Sequence, residues 1–387
     1  MQTTDVLIIG SGPAGISTAL HLLQLSPLWR ERILILEKDN HPRHKLCGGG
    51  VTRFGLRVLQ NLEIPLPLPL PQARVDRVRL QYGRQQIIVR GKPQFVVFHR
   101  PQLDAYLAAE ARRRGVQLQE NETVTGLKTT SQGVEVTTTR GRYRARVVVG
   151  ADGSKGRARR LVQGRAAGHV ARVLETLQPT SGESIPFREN AALFDFTATR
   201  QQLQGYLWDF PSFVDGQPTA NRGIYDSRAG RSEHRARLPE MLRAFLPPHL
   251  PASIQGHPIH WFTPRGRFAV PHLLLVGDAA GVDPLFGEGI GPALGYGAVA
   301  AQTIEAAFRR GDFSFRDYRR RLLRSPLGRY LTLRWAAARL VYHFSAYPWF
   351  MKPLWHIGAG IARLFPAGEL YPQQNERHIH SDFTDQR

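Results

Sequence analysis

Three acidic side chains occupy one recurring kind of place in this sequence. Glu37 closes the apolar run Ile33-Leu34-Ile35-Leu36, Asp152 follows Val147-Val148-Val149-Gly150-Ala151, and Asp278 follows Leu273-Leu274-Leu275-Val276-Gly277. Short apolar runs of this kind, bounded by glycine, read as buried strands. A carboxylate at the end of such a strand is placed to accept hydrogen bonds from the hydroxyls of a ligand. For Asp278 the competing reading is a cap on the helix that follows it. Cys47 is the one cysteine of the chain and stands before Gly48-Gly49-Gly50. Backbone without side chains there can approach a flat ligand, leaving the thiol as a positioning group or proton donor. The other reading is a small buried hydrophobe. Tyr206, Trp208 and Phe210 alternate before Pro211. Alternate residues of a strand share a face, so these rings form either one wall of an apolar slot or the core of a sheet. Phe194 and Phe196 extend the same wall.

The elements that must position these groups begin at the N-terminus. The strand Asp5 to Ile9 runs into Gly10-Ser11-Gly12-Pro13-Ala14-Gly15, and residues 14–25 then have helical periodicity. With Ile33 to Leu36 and Glu37 this is a complete strand, turn, helix, strand and acid unit. Gly10 permits a tight turn, Gly12 lets a pyrophosphate approach the backbone, and Gly15 lets helix and strand pack closely. The helix start at Pro13 and Ala14 offers free N–H groups to the phosphates. Glu37, with Lys38 beside it, lies 22 residues after Gly15, where it accepts from ribose hydroxyls. An acid there selects FAD or NAD over NADP. The later segments favour FAD. Gly277-Asp278 puts a carboxylate within reach of a ribityl hydroxyl. Gly287-Glu288-Gly289-Ile290 then leads into a helix of about residues 289–309, whose positive end faces the O2/N1 edge of a flavin.

These segments resemble the fingerprints of the flavoprotein class that includes para-hydroxybenzoate hydroxylase, and within it the geranylgeranyl reductase family. Pro42-Arg43-His44-Lys45-Leu46-Cys47-Gly48-Gly49-Gly50 is similar to the family's Lys-x-Cys-Gly-Gly stretch. Pro284 to Ile290 matches closely, and Tyr206-Leu207-Trp208-Asp209-Phe210-Pro211 is similar to its Tyr-x-Trp-x-Phe-Pro motif. The resemblance covers about residues 1–310. It implies FAD as cofactor, with Lys45 near a phosphate and Arg100 among the flavin contacts. It also implies Cys47, Gly48 and Gly49 at the reacting centre, and Tyr206, Trp208, Phe210 and Pro211 against substrate. The activity implied is reduction of carbon–carbon double bonds in a polyprenyl lipid, a prenylated quinone or a pigment. Two departures bear on the substrate. The aromatic motif is followed after a long gap by Gly223-Ile224-Tyr225 where the family has Gly-x-Gly, and Gly156 stands where the class usually has Ser.

The fold expected is α/β: a Rossmann-like FAD-binding domain (1–75, 96–165 and 260–310) interleaved with an α+β substrate domain on an antiparallel sheet (76–95 and 166–259). A C-terminal helical region, 311–387, follows. The 387 residues carry a net charge of +21, nearly all of the excess being Arg. Such a surface attracts anions. With no nucleic-acid motif beside it, the anionic partner expected is the cofactor or an acidic lipid surface, and nucleic acid is not expected. The aromatic and basic stretch Tyr330 to Phe365 fits either an interfacial helix pair or a helical cap on the substrate domain. The 14 histidines show no metal-ligand spacing on a shared helix face. No signal peptide and no spanning run are evident, so a cytoplasmic protein is expected, peripheral at most at the cytoplasmic membrane face. No second complete nucleotide unit is present, which leaves NADPH in transient contact or a small redox protein as electron donor. The rival activities are a flavin monooxygenase or halogenase of the same fold, although the Trp-x-Trp-x-Ile-Pro segment of halogenases is absent. A non-catalytic FAD-binding or membrane-surface protein is the alternative of another class.

Overall fold

Val6 to Ile9 are buried on both faces of the strand Gln2–Ile9, as their unbroken apolar run requires. This strand pairs in parallel with Ile33–Leu36 on one side and Arg142–Gly150 on the other. Gln117–Gln119 and Leu273–Leu275 extend the parallel array at its two ends. The computed structural model describes residues 1–164, 168–229, 236–248 and 253–364. An antiparallel hairpin, Val124–Thr130 with Gly133–Thr138, joins the first half of Arg142–Gly150. Ile9, Leu36, Gly150 and Leu275 stand in register. Gly10, Glu37, Asp152 and Asp278 therefore all emerge at the same carboxyl end of the sheet, where open α/β sheets bind ligands.

Two helices cover one face of this sheet. Pro13–Leu25 starts with Pro in its first turn after Gly12, and Ile290–Arg310 ends at Gly311 in the left-handed region, with Arg309 and Arg310 complementing its dipole. Ser17 Oγ on the first donates to Leu294 O on the second at 2.6 Å, which brings their N-termini together.

A second sheet of eight strands runs in the order Gln255–His260, Val170–Pro179, Gln217–Asp226, Gly205–Val214, Ala191–Asp195, Gln72–Tyr82, Gln85–Phe98 and Gly50–Thr52. It is antiparallel except where Ala191–Asp195 lies parallel to Gln72–Tyr82. The piece 76–95 assigned to the second domain is a hairpin that runs from Gln72 to Phe98, and its open end pairs with Gly50–Thr52. The Cys47 stretch therefore enters the second sheet directly from the first domain. The strand Gln117–Gln119 ends where Asn121 turns the chain with φ 56°, and a new strand starts at Val124. Asn tolerates that conformation better than other side chains.

The small helix Leu238–Phe245 packs Leu238 and Leu242 on one face of the second sheet, against Leu207 and Ile224. The other face carries the rings. Over it lie Pro326–Phe344 and Pro348–Leu364, which bury Tyr342, Met351 and Trp355 against Tyr82 and Phe196. Their outer sides expose Leu333, Leu340, Trp349 and Ile357. Among the described residues no helix is long and apolar enough to cross a membrane. The part of the expected helical region after residue 364 lies outside the described residues.

Candidate active site

A cavity of about 1080 Å³ lies between the two sheets. That exceeds the roughly 300–1,000 Å³ of an ordinary small-molecule pocket, and its lining changes character from one end to the other.

At the end of the parallel sheet the wall is main chain and charge. Gly12, Pro13 and Ala14 at one helix start and Gly289 and Ile290 at the other line the cavity, and neither helix has a side-chain cap. Two positive helix ends thus face one space. Gly15 sits behind this wall, where a Cβ would overlap the carbonyl oxygen of Gly10; only glycine lets strand and helix close up there. Glu37 is buried and accepts from Ser11 N at 2.9 Å and Ser11 Oγ at 2.8 Å. Lys38 is exposed at the rim, 3.5 Å from Asp39. Arg43, which the sequence reading did not single out, lies next to Gly12, 3.5 Å from Glu37 and 3.2 Å from Asp104. Arg100 completes the chain with a bidentate pair to Asp104, both bonds 2.8 Å. Asp152 receives the Ala158 N–H at 2.8 Å, but its Oδ1 is shielded and has no partner. Burial pushes its carboxyl up to about 6.

Asp278 is not a helix cap. It reaches into the cavity, 3.7 Å from Lys45 Nζ. Lys45 also lies 3.3 Å from His257 Nε2, so it bridges the two domains. Burial and Lys45 together hold His257 down to about 4, which leaves its ring neutral. Gly277 supports Asp278 from behind, its Cα facing Ala14.

Cys47 to Gly50 form the junction of the two halves and line the cavity. The Cys47 N–H donates to Glu175 Oε1 at 2.8 Å, and the Cys47 carbonyl accepts from Asn221 Nδ2 at 3.2 Å. The Gly49 N–H points at the thiol sulfur, 3.4 Å away. Burial pushes the thiol up, so it stays protonated at neutral pH. Gly48 lies against the rings of Phe210 and Trp208.

Beyond the junction the wall is aromatic. Tyr206, Trp208 and Phe210 line it as the alternation predicts, joined by Phe194. Pro211 does not: it has the opposite parity, is buried, and lies outside the cavity lining. Phe196 sits behind Tyr206 and Phe286. Trp208 Nε1 donates to Asn221 Oδ1 at 2.8 Å, and the indole lies across Gly223, where a Cβ would meet the ring. Tyr225 packs on Gly287 and donates to Pro284 O at 2.7 Å. Tyr206 donates to Phe286 O and Tyr342 to Leu285 O. Three tyrosines thus hold the loop Asp283 to Glu288 from the substrate side. Within it Asp283 is fully buried, 3.6 Å from Arg334, and Glu288 accepts from Thr52 at 2.5 Å and Tyr330 at 2.8 Å.

The sequence reading missed Arg43, Glu175, Tyr225, His257, Asp283 and Arg334. For Glu175 a signal was present: an acid at the same parity as Ala171 and Val173 on a strand whose inner face is apolar. Asp283 and Arg334 gave none, because their pairing is between segments far apart in sequence.

The residues present fit a flavin dinucleotide. Two uncapped helix ends suit a pyrophosphate, Glu37 suits a ribose, and the unpartnered Asp152 Oδ1 and the cavity-facing Asp278 suit further ligand donors. Fold and site together define a flavoprotein with an apolar second compartment. The FAD binding domain family matches residues 3–294; the chain belongs to that family and is an FAD-dependent oxidoreductase similar to geranylgeranyl reductases. It is 28% identical over 345 residues to the digeranylgeranylglycerophospholipid reductase of Thermoplasma volcanium, covering 81% of each. To digeranylgeranylglycerophospholipid reductase 1 of Methanothermobacter thermautotrophicus it is 28% identical over 346 residues, covering 84% of this chain and 83% of the relative. A geranylgeranyl bacteriochlorophyll reductase-like protein of Thermoplasma acidophilum superposes with a TM-score of 0.77 at 23% identity, over 93% of this chain and 92% of the other. The halogenase PltM shares the fold at a TM-score of 0.67 and 17% identity, over 94% and 85%.

Proposed function

We propose that the chain reduces isolated carbon–carbon double bonds in a polyprenyl lipid or prenylated quinone or pigment. The observation that carries this reading is the continuity of the cavity. A dinucleotide cradle opens, at Cys47 to Gly50, into a compartment walled by Phe194, Tyr206, Trp208 and Phe210. An isolated alkene offers no polar handle, so catalysis depends on positioning it and on excluding water. Bound FAD, once reduced, supplies a hydride. The chain's own residues hold the alkene against the side-chain-free Gly48 and Gly49, and the aromatic wall keeps the reacting carbons dry. Arg43, Glu37, Asp152 and Asp278 would hold the cofactor, and the helix starting at Ile290 would stabilise negative charge on it.

The electron donor in this reading is NADPH or a small redox protein. The exposed Leu333, Leu340, Trp349 and Ile357, on a chain with a net charge of +21, support peripheral contact with an anionic membrane through the two C-terminal helices. The test is anaerobic photoreduction of the purified yellow protein, followed by prenyl lipids, quinones and aromatic compounds in turn. Reoxidation by a prenylated lipid without oxygen is the expected result. Reoxidation only with oxygen, with hydroxylated or halogenated product, would make it a monooxygenase or halogenase instead.

A further inference from the structure

We propose that Glu175 is the acid that delivers the proton to the substrate double bond, an assignment that rests on the reductase reading above. Its side chain is only 5% exposed and lines the cavity beside Val173. Oε1 is fixed by the Cys47 N–H at 2.8 Å, while Oε2 is shielded from solvent and has no partner. Such an atom is costly unless something else meets it. On the adjoining strand Gly223 stands in register with Glu175, and the Trp208 indole lies across that glycine, so the carboxyl shares its face of the sheet with the aromatic wall. The position is also the one the chemistry needs. Cys47 belongs to the junction between cradle and apolar compartment, and Glu175 is tied to its backbone.

Reduction of an alkene adds a hydride to one carbon and a proton to the other. The carboxyl O–H bond of Glu175 breaks, and the π pair of the double bond forms the new C–H bond with that proton. The second carbon takes the hydride supplied by reduced FAD, which ends two electrons more oxidised. The carboxylate left behind faces Arg100 on its helix and Lys45 and the Cys47 thiol on the junction segment, with neutral His257 on the neighbouring strand. It regains its proton from water between turnovers. Burial outweighs those cations and pushes the Glu175 carboxyl up to about 7, where an acid is both loaded and able to release. The Cys47 thiol is pushed up by burial as well, which makes it the weaker acid.

The test uses the FAD-loaded protein and Glu175→Gln, which keeps an acceptor for the Cys47 N–H. Flavin content and melting temperature of the variant should match the wild type. Its reoxidation by a prenyl lipid in a single anaerobic turnover should slow by about 10²–10⁴-fold. The wild-type rate should fall as pH rises through about 7, and the variant should lack that decline. Infrared titration of the oxidised, lipid-free protein gives a readout independent of turnover. A protonated carboxyl band lost near pH 7 in the wild type should be missing in Glu175→Gln. A variant reoxidised within about threefold of wild type, with the same pH profile, overturns the assignment and leaves the reductase reading standing. A wild type that no prenyl lipid reoxidises overturns both.

Discussion

At the end of the parallel sheet the cavity is walled by main chain and charge; over the second sheet it is walled by rings. The first half presents two helix starts and the linked groups Glu37, Arg43, Asp104 and Arg100. The second presents Phe194 within 5.1 Å of both the Tyr206 and Phe210 rings, with Phe95 and Phe286 around them. A charged dinucleotide is recognised by fixed dipoles and placed charges, which tolerate little change of geometry. A hydrocarbon is recognised by shape and by dryness, which many ring arrangements supply. Damage to the first half should therefore abolish the flavoprotein, and damage to the second should leave a yellow but idle protein.

The largest effect expected is from Gly15→Val. Its side chain would have to occupy the space of the Gly10 carbonyl at the helix start. The loss should exceed the roughly 4–5 kcal/mol beyond which single substitutions are exceptional. Soluble expression, melting temperature and the flavin absorbance of whatever folds would measure it. A stable yellow variant would mean that strand and helix do not pack as closely as described.

Arg334→Met comes next and blurs the comparison on purpose, because its residue serves both halves. Asp283 is fully buried and Arg334 is its cation, with the guanidinium also over the rings of Phe286 and Tyr330 at 5.0 and 4.9 Å. Removing one partner of a buried pair costs about 3–5 kcal/mol, and the partial exposure of Arg334 argues for the lower end. Flavin affinity and lipid reoxidation should both fall, and Asp283→Asn in the same chain should recover part of the stability. No recovery in the double variant would show that the charge is not what matters.

Gly223→Ala tests the ring half alone. The added methyl would meet the Trp208 indole, which must then leave its bond to Asn221, and the Leu174 carbonyl oxygen of the neighbouring strand, which must shift as well. Overpacking of this kind costs about 1–3 kcal/mol. Flavin stoichiometry should be unchanged while reoxidation by lipid slows or its apparent KM rises. Loss of flavin from this variant would mean that the two halves are not separable.

The same division governs what could be read in advance. Gly10 to Gly15, Glu37, Asp152 and Asp278 were legible because the parallel sheet needs continuous apolar strands and glycine turns, both of which are local patterns. Tyr206, Trp208 and Phe210 were legible by strand alternation, and Pro211 was assigned to the wrong face by following the motif instead of the parity. The contacts of Glu175, Tyr225 and Arg334 were not legible. Each depends on a partner in another domain segment: Cys47, Pro284 and Asp283 respectively. Strand periodicity alone would put Glu175 on an inner face, with Ala171 and Val173, but not beside the junction.

The smallest effect expected is at Asp152, and there the two demands on the cradle oppose each other. Burial raises this carboxyl from 3.8 to about 6 against the pull of backbone N–H groups, and one of its oxygens has no donor in the protein itself. The folded chain then holds the proton more tightly than the unfolded chain does. The stability this contributes is present at low pH and is lost as pH rises through the interval from about 4 to 6. Above that range the ionised carboxylate costs the apoprotein stability. One pKa unit corresponds to about 1.4 kcal/mol, so the rise from 3.8 to about 6 sets an upper bound of about 3 kcal/mol; Asn keeps only part of the bonding to the backbone N–H groups, so Asp152→Asn should raise apoprotein stability at pH 7.5 by about 1 kcal/mol. The same change removes a charged acceptor from the flavin side and should weaken FAD binding by about tenfold. Denaturation of flavin-free protein at pH 5 and 7.5, with FAD titration of both chains, measures the two effects separately. If the variant apoprotein is less stable at pH 7.5, the Asp152 charge is satisfied within the protein and is not held in reserve for the cofactor.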